Sequence, residues 1–286
     1  MFTLQIAING ILLGGLYALM ALGMSLIWGV MNIINIAHGA FIMLGAYVTF
    51  FLFRYLGLDP FLSIPLSMLV LFIFGFLLQR YLINWVVQAT MFITLLLAFG
   101  IDILLTNGAR IAFSANFYRV NPSYGGARLD LGSLTIPEVR LAAFLVALLI
   151  ALLLFLLLKR TKLGRAIRAT AQDLTAARLT GVKVAHIYAL TFGIGVALAG
   201  AAGSLWSVLF GVHPAMGGPL TLKSFVVVII GGLGSTTGPI VGGLILGLAE
   251  VFSSAWLGDT WKNVISFGLL VLILVIRPQG ILGGTK

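Results

Sequence analysis

Leu141–Leu158 is eighteen residues of unbroken hydrocarbon, and the next two residues are Lys159 and Arg160. A run of that length is close to the ~20 helical residues that cross a bilayer's hydrocarbon, so it predicts a membrane span with a charged stop at one end. The pattern recurs along the chain. Apolar segments run at about Leu4–Trp28, Ile36–Phe53, Phe61–Leu78, Ala89–Leu105, His186–Phe210, Leu222–Leu233, Pro239–Trp256 and Val264–Ile276. With Leu141–Leu158 that gives an all-α, polytopic membrane bundle of eight or nine segments. Several fall short of a full crossing, which predicts tilted, broken or re-entrant helices. Leu222–Leu233 reads as a half-helix because Gly231-Gly-Leu-Gly-Ser-Thr-Thr-Gly-Pro239 follows it, where glycines and a proline prevent helix continuation. Irregular backbone at membrane depth is tolerated only inside protein or beside a water-filled cavity, so Gly231, Gly232 and Gly234 are candidate pathway residues.

Composition excludes other classes. Of 286 residues 61% are hydrophobic and 8% charged, where a soluble domain carries roughly 25% charged residues. The net charge of +10 is not a nucleic-acid footprint, because the basic residues sit between apolar spans and not in a stripe interleaved with aromatics. Zero cysteines exclude disulfides, thiolate metal sites and cysteine nucleophiles. Met1–Trp28 lacks a basic leader region and runs too long for a cleavable signal, so it reads as the first span. No phosphate-binding loop, metal-ligand spacing or nucleophile elbow appears, which leaves no basis for an enzyme, a cofactor or a metal.

The densest charge lies in Lys159–Lys183, where Lys159, Arg160, Lys162, Arg165, Arg168, Arg178 and Lys183 face Asp173 alone. Positive charge between two spans marks a cytoplasmic loop, here at about 159–185 of an otherwise single membrane domain covering 1–286. Three segments follow His186–Phe210, so Arg277 and Lys286 return to the cytoplasmic side and the Arg110–Arg140 loop lies outside. Within the inner loop, Gly164–Gly181 is helix-forming. Ala169, Asp173, Ala176, Ala177 and Thr180 recur at helical spacing as a stripe of small side chains, flanked by Arg165, Arg168 and Gly181. Such a stripe lets another surface come close, so the loop reads as a docking element.

Polar residues inside the spans are few. Asn32, Asn35 and His38 cluster between the first two segments, either as a helix start with a satisfied histidine or as pathway lining. Asn32–Gly45 and Gly231–Gly243 are a pair of polar, glycine-bearing breaks in the two halves, a pattern found around transporter sites. Glu250 and Asp102 are isolated acids; one buried carboxylate is more often paired structurally than part of a proton relay. Gly10-x-x-x-Gly14, Gly238-x-x-x-Gly242 and Gly243-x-x-x-Gly247 predict close helix packing.

Several motifs in order resemble one family. Asn35-Ile-Ala-His-Gly39 with Met43-Leu-Gly-Ala-Tyr47, Leu163–Arg168 through Ala177–Gly181, Leu198–Gly203, Lys223-Ser-Phe225, Gly231–Ser235, Gly238–Gly242 and Arg277-Pro-Gln-Gly-Ile-Leu-Gly283 are similar to the permeases of branched-chain amino-acid ABC importers. Ala40 stands where that family often carries an acid. The compact length looks like the first of the two permeases such systems encode. The resemblance implies a type II importer-like bundle in the bacterial inner membrane that pairs with a homologous permease or a second copy of itself. It also implies two cytoplasmic ATPases docked on the coupling loops and a periplasmic binding protein delivering leucine, isoleucine or valine. Permeases for urea or short-chain amides share the type, and an ion-coupled carrier is the rival from another class. An apolar chain without intramembrane charge networks suits substrates whose apolar parts need no fixed counter-ion.

Overall fold

The computed structural model describes residues 2–87, 89–132 and 134–283. Lys286, used above for orientation, lies outside the described residues. The helices are α1 (Phe2–Met31), α2 (His38–Leu56), α3 (Ile64–Tyr81), α4 (Met91–Phe113), α5 (Glu138–Arg160), α6 (Lys162–Gln172), α7 (Leu174–Leu179), α8 (Val184–Leu209), α9 (Gly217–Gly231), α10 (Gly238–Leu257) and α11 (Trp261–Ile276). Among the described residues eight helical segments are long and apolar enough to cross a membrane, with α11 a shorter apolar helix of 16 residues. The nine expected segments each correspond to one of these. The connection between α4 and α5 adds an element that sequence periodicity did not predict: the antiparallel hairpin β1 (Arg128–Leu131) and β2 (Leu134–Pro137). Gln5 ties it to the start of α1 through hydrogen bonds of 2.7 and 3.0 Å with the Thr135 backbone.

The bundle is built around α1, whose 30 residues extend about 45 Å and bury nearly every side chain of the inner two thirds. Glycines let α10 lie against it. A Cβ on Gly14 would sit 2.8 Å from the Leu244 Cα, and one on Gly10 would sit 2.9 Å from the Leu248 Cα. Gly243 and Gly247 face back onto Gly14 and Gly10, so these two small-residue motifs form one seam, while Gly242 packs on Val227 of α9. At the periphery, α3, α4, α5 and α11 keep large side chains such as Phe92, Leu104, Leu153 and Val275 bare, which suits hydrocarbon and not water as solvent.

Two non-helical segments reach into the bundle from opposite ends. The first is Asn32–Ala37. Asn32 adopts φ 52°, the left-handed conformation that ends helices, and its N–H closes on the Trp28 carbonyl at 2.9 Å. The chain then runs back along α1 until the His38 Nε2 donates to the Met20 carbonyl, 2.8 Å away. Met20 lies eleven residues before Met31, about 16 Å back up the helix. Thus α2 starts inside the molecule, well away from either surface.

The second is Phe210–Met216, which leaves the far end of α8, pairs Val212 with Tyr118, turns through the 3-10 segment Pro214–Met216 and starts α9 at Gly217. Gly217 lies against Gly39 and Ala40. Thr221 joins the two helix starts: its Oγ1 accepts from the Gly39 N–H at 2.8 Å and donates to the Ile36 carbonyl at 3.0 Å.

This corrects the predicted pairing of breaks. Asn32–Ala37 is matched by Phe210–Met216 and not by Gly231–Gly243. The Gly231–Gly238 turn lies at the α6 end of the bundle, where Gly234 meets Gly29 near the end of α1. The short helix α9 does start inside the bundle, at Gly217 against Gly39, and ends at the glycine turn, but the break that shortens it is Phe210–Met216 at its start and not the glycine turn after it. Glycine and proline mark where a helix stops but carry no information about depth.

Candidate functional site

At the inner end, Thr161 opens α6 by accepting the Gly164 N–H on its Oγ1 at 2.9 Å. The expected single helix from Gly164 to Gly181 is in fact two. Asp173 takes an extended conformation, φ −150° and ψ 113°, and caps α7 by accepting from the Thr175 and Ala176 N–H groups at 2.8 and 2.9 Å. A short acidic side chain at the head of Leu-Thr-Ala-Ala prefers that role to a mid-helix position, and helical spacing alone does not register it.

The small-residue stripe is therefore split. Arg165, Asp173, Ala176, Thr180 and Gly181 are exposed, Ala169 is half-buried, and Ala177 is turned into the protein and buried. Ala177 cannot belong to a docking face. The break also turns Leu179 outward to 84% exposure, a bare apolar side chain on a polar loop that the spacing argument missed. Behind α6 lies a cavity of about 480 Å³ between the inner half of α1, the end of α5, the glycine turn and the C-terminal segment. Arg168, Gln172, Gly234, Ser235 and Gly283 line it, so Arg168 faces this cavity. The C-terminal segment is held there by the Ile281 and Leu282 N–H groups, which bond the Ile230 and Gly231 carbonyls at 2.9 and 3.1 Å. The basic loop of α6 and α7, the glycine turn and Arg277–Gly283 thus share one end of the molecule, as the charge argument predicts for the loop and Arg277.

Of the six candidate pathway residues, Gly234 lines this cavity and the others do not. Asn32 is exposed at the end of α1, and Asn35 and His38 are buried in the inward-running segment. Gly231 and Gly232 are buried, Gly232 with φ 105° against Gly283 and Gly231 against Gly238. The Asn35 Nδ2 and His38 Nδ1 have no hydrogen-bond partner among the described residues.

The expectation of a path without intramembrane charge networks is overturned. The Lys223 ammonium on α9 lies 2.8 and 2.7 Å from the two carboxylate oxygens of Glu250 on α10, and Glu250 is 1% exposed. Tyr17 on α1 donates to Glu250 Oε2 at 2.6 Å, and Ser266 on α11 to Oε1 at 2.6 Å. Four helices meet in one cluster. Glu250 is the structurally paired acid that the sequence reading favoured, but its partner was missed. Asp102 on α4 shows no partner for its buried Oδ1 among the described residues.

The chain matches the family model described as "Branched-chain amino acid transport system / permease component" over residues 6–274. It belongs to that family. It is 35% identical to the high-affinity branched-chain amino acid transport system permease protein BraD of Pseudomonas aeruginosa, over 98% of this chain and 95% of that one. To LivH of Escherichia coli K12, a permease protein of the same description, it is 34% identical over 99% and 96%. To the longer E. coli permease protein LivM it is 28% identical, over 95% of this chain and 68% of that one. No solved structure matches it. The chain is a multi-pass inner-membrane permease of the first, compact type, a transport subunit of an ABC importer, and the LivH and LivM relatives imply a second permease beside it.

Proposed function

We propose that this permease carries leucine, isoleucine and valine inward by ATP-driven alternating access, with two cytoplasmic ATPases on the coupling loops and a periplasmic binding protein delivering the substrate. The observation that carries this reading is the 34–35% identity, over nearly full length, to permease proteins named for high-affinity branched-chain amino acid transport. The docking face in this reading is Arg165, Asp173, Ala176, Thr180 and Gly181, with Leu179 as its apolar anchor. Support comes from their common exposure on a loop held to the membrane bundle by α6. A bare leucine beside the exposed Arg178 fits an apolar groove with an acidic rim on a soluble partner. The junction of α2 and α9 at Thr221 serves as the hinge of the outward and inward states, because a non-helical segment at each helix start absorbs a dihedral change that a continuous helix would resist. Asn35 and His38 belong to that hinge, and Gly234 to the inner exit.

Labelled leucine uptake tests the reading in cells with and without this chain, under ATP depletion and separately under a protonophore. Uptake lost on ATP depletion and retained with the protonophore is the expected result; the reverse pattern marks an ion-coupled carrier and sinks it. In the same assay Ala176→Arg is expected to lower uptake about tenfold or more while the permease still assembles in the membrane, since disrupting a well-packed interface position typically costs about 1–2 kcal/mol or more. Wild-type uptake in Ala176→Arg would remove α7 from the docking face.

A further inference from the structure

We propose that the end of α3, the 3-10 turn Ile83–Trp85 after it and the start of α8 form a binding site for one anionic phospholipid of the inner leaflet. Two adjoining cavities lie there, of about 660 and 320 Å³, and Asn84, Lys183 and Ala185 line both. Arg80, Tyr81, Trp85 and His186 complete the larger, and Arg178 of α7 reaches the smaller. Arg178 belongs to the basic loop, whose charge marks this end of the bundle as the cytoplasmic one. The site shares no lining residue with the cavity behind α6 or with the pocket beside Lys223 and Glu250.

Three cations, Arg80, Arg178 and Lys183, converge on these cavities, and His186 adds a ring N–H. The His186 ring packs edge-on against Phe76, 5.9 Å between centroids, so the helix that carries Arg80 also positions it. None of the four forms an ion pair among the described residues, and no acid lines either cavity. Asp173, the one acid of the loop, has its carboxylate engaged in capping α7. Like charges gathered without an acid repel one another. A phosphodiester relieves that repulsion and offers each guanidinium an acceptor. Basic pockets between helices on the cytoplasmic side suit anionic headgroups for this reason.

The surroundings favour a lipid over a soluble anion or an acidic protein. Trp85 is 85% exposed and Tyr81 is exposed beside it, and such aromatic side chains settle at the headgroup level of a bilayer. Leu66, Val70, Ile73, Leu77 and Tyr81 follow one another at helical spacing and all are bare. One stripe of α3 therefore runs from the hydrocarbon to Arg80. A phospholipid meets both halves of this surface at once: its phosphate takes the cations and an acyl chain lies along the stripe. A free phosphate leaves the stripe bare, and so does an acidic protein rim. Phosphatidylcholine carries the chains, but its choline cancels the charge that the cluster selects.

Native mass spectrometry tests this on the full-length chain, both alone in detergent and in the complex it purifies with, titrated with phosphatidylglycerol or phosphatidylcholine of the same chains. One saturable phosphatidylglycerol site per copy is expected, preferred over phosphatidylcholine by at least about tenfold. Arg80→Gln and Lys183→Gln should each weaken it about fivefold, and the two together about twenty-fivefold, in protein that elutes as wild type does. Arg160→Gln removes a basic residue from the same end that lines neither cavity, and should leave binding unchanged. Glycerol 3-phosphate, a headgroup without chains, should not displace the lipid even at about a hundredfold excess. No preference for phosphatidylglycerol, or an equal loss in Arg160→Gln, overturns the site and leaves only general attraction to negative charge. Displacement by glycerol 3-phosphate overturns it in favour of a soluble phosphate. Binding by the chain alone that disappears in the complex also overturns it, and assigns the surface to a soluble subunit.

Discussion

Glu250→Leu is expected to remove nearly all correctly folded permease from the membrane, and adding Lys223→Met to the same chain is expected to restore much of it. Both groups lie inside the bundle, Glu250 with 1% and the Lys223 side chain with 18% of its surface exposed. Desolvating an ion is expensive, and the pair is tolerable because each charge answers the other at 2.7 Å while Tyr17 and Ser266 occupy the remaining carboxylate sites. Removing the acid alone leaves an ammonium among apolar helices with one phenol for company. Breaking such a pair from one side costs about 3–5 kcal/mol, a large part of the roughly 5–15 kcal/mol that holds a typical domain folded. Removing both charges with apolar residues of similar length is often neutral. Lys223→Met alone should fall between the two, because Glu250 keeps two hydroxyl donors. Fluorescence-detected size exclusion of detergent extracts reads the ranking directly. A Glu250→Leu protein as abundant and monodisperse as the double variant would mean that the pair does not hold α9 to α10.

Which features could be seen in the sequence follows from the range of the interactions behind them. The spans were legible because crossing a bilayer demands a long local run of apolar residues, and Leu141–Leu158 cannot be anything else. The coupling loop was legible because Lys and Arg accumulate on one side of the membrane. Where the chain turns into the bundle was not legible. Asn32–Ala37 lies within the predicted Asn32–Gly45 break, but its depth was hidden: only its packing along α1 as far as Met20 shows that the break turns into the bundle. Phe210–Met216 carried usable signals in Gly211 and Pro214, but they resembled an ordinary surface turn. Lys223 and Glu250 stand 27 residues apart, so their pairing requires knowing that α9 and α10 form an antiparallel hairpin about Gly231–Gly238. That hairpin was predictable from the glycine turn, and folding the two segments back would have brought the charges together. Asp173 shows the opposite limit: the helix stripe was real as spacing, yet one local capping preference outweighed it.

Gly39→Ala is expected to be among the most damaging single-methyl additions at the described glycines, at about 3 kcal/mol, near the top of the range for overpacking. A Cβ at Gly39 would fall onto the Gly217 carbonyl and the Thr221 hydroxyl. The first is backbone and cannot rotate away; the second already bridges Gly39 N–H and the Ile36 carbonyl. Relief therefore requires α2 and α9 to separate, which breaks the Thr221 bridge and orphans a buried N–H. The exposed Gly268 inside α11 provides the control: a Cβ there meets nothing within 4 Å, so Gly268→Ala should be neutral or stabilise α11 by up to about 1 kcal/mol through helix propensity. Thermal melting of the detergent-purified protein should show Gly39→Ala far below wild type and Gly268→Ala at or above it. Equal melting of the two would mean that the helix starts are not in close contact, and the hinge assigned to Thr221 would have no mechanical basis. If the predicted order holds, the same contact explains Ala40, which is fully buried beside Gly217: a longer acidic side chain at that position would have to displace the start of α9.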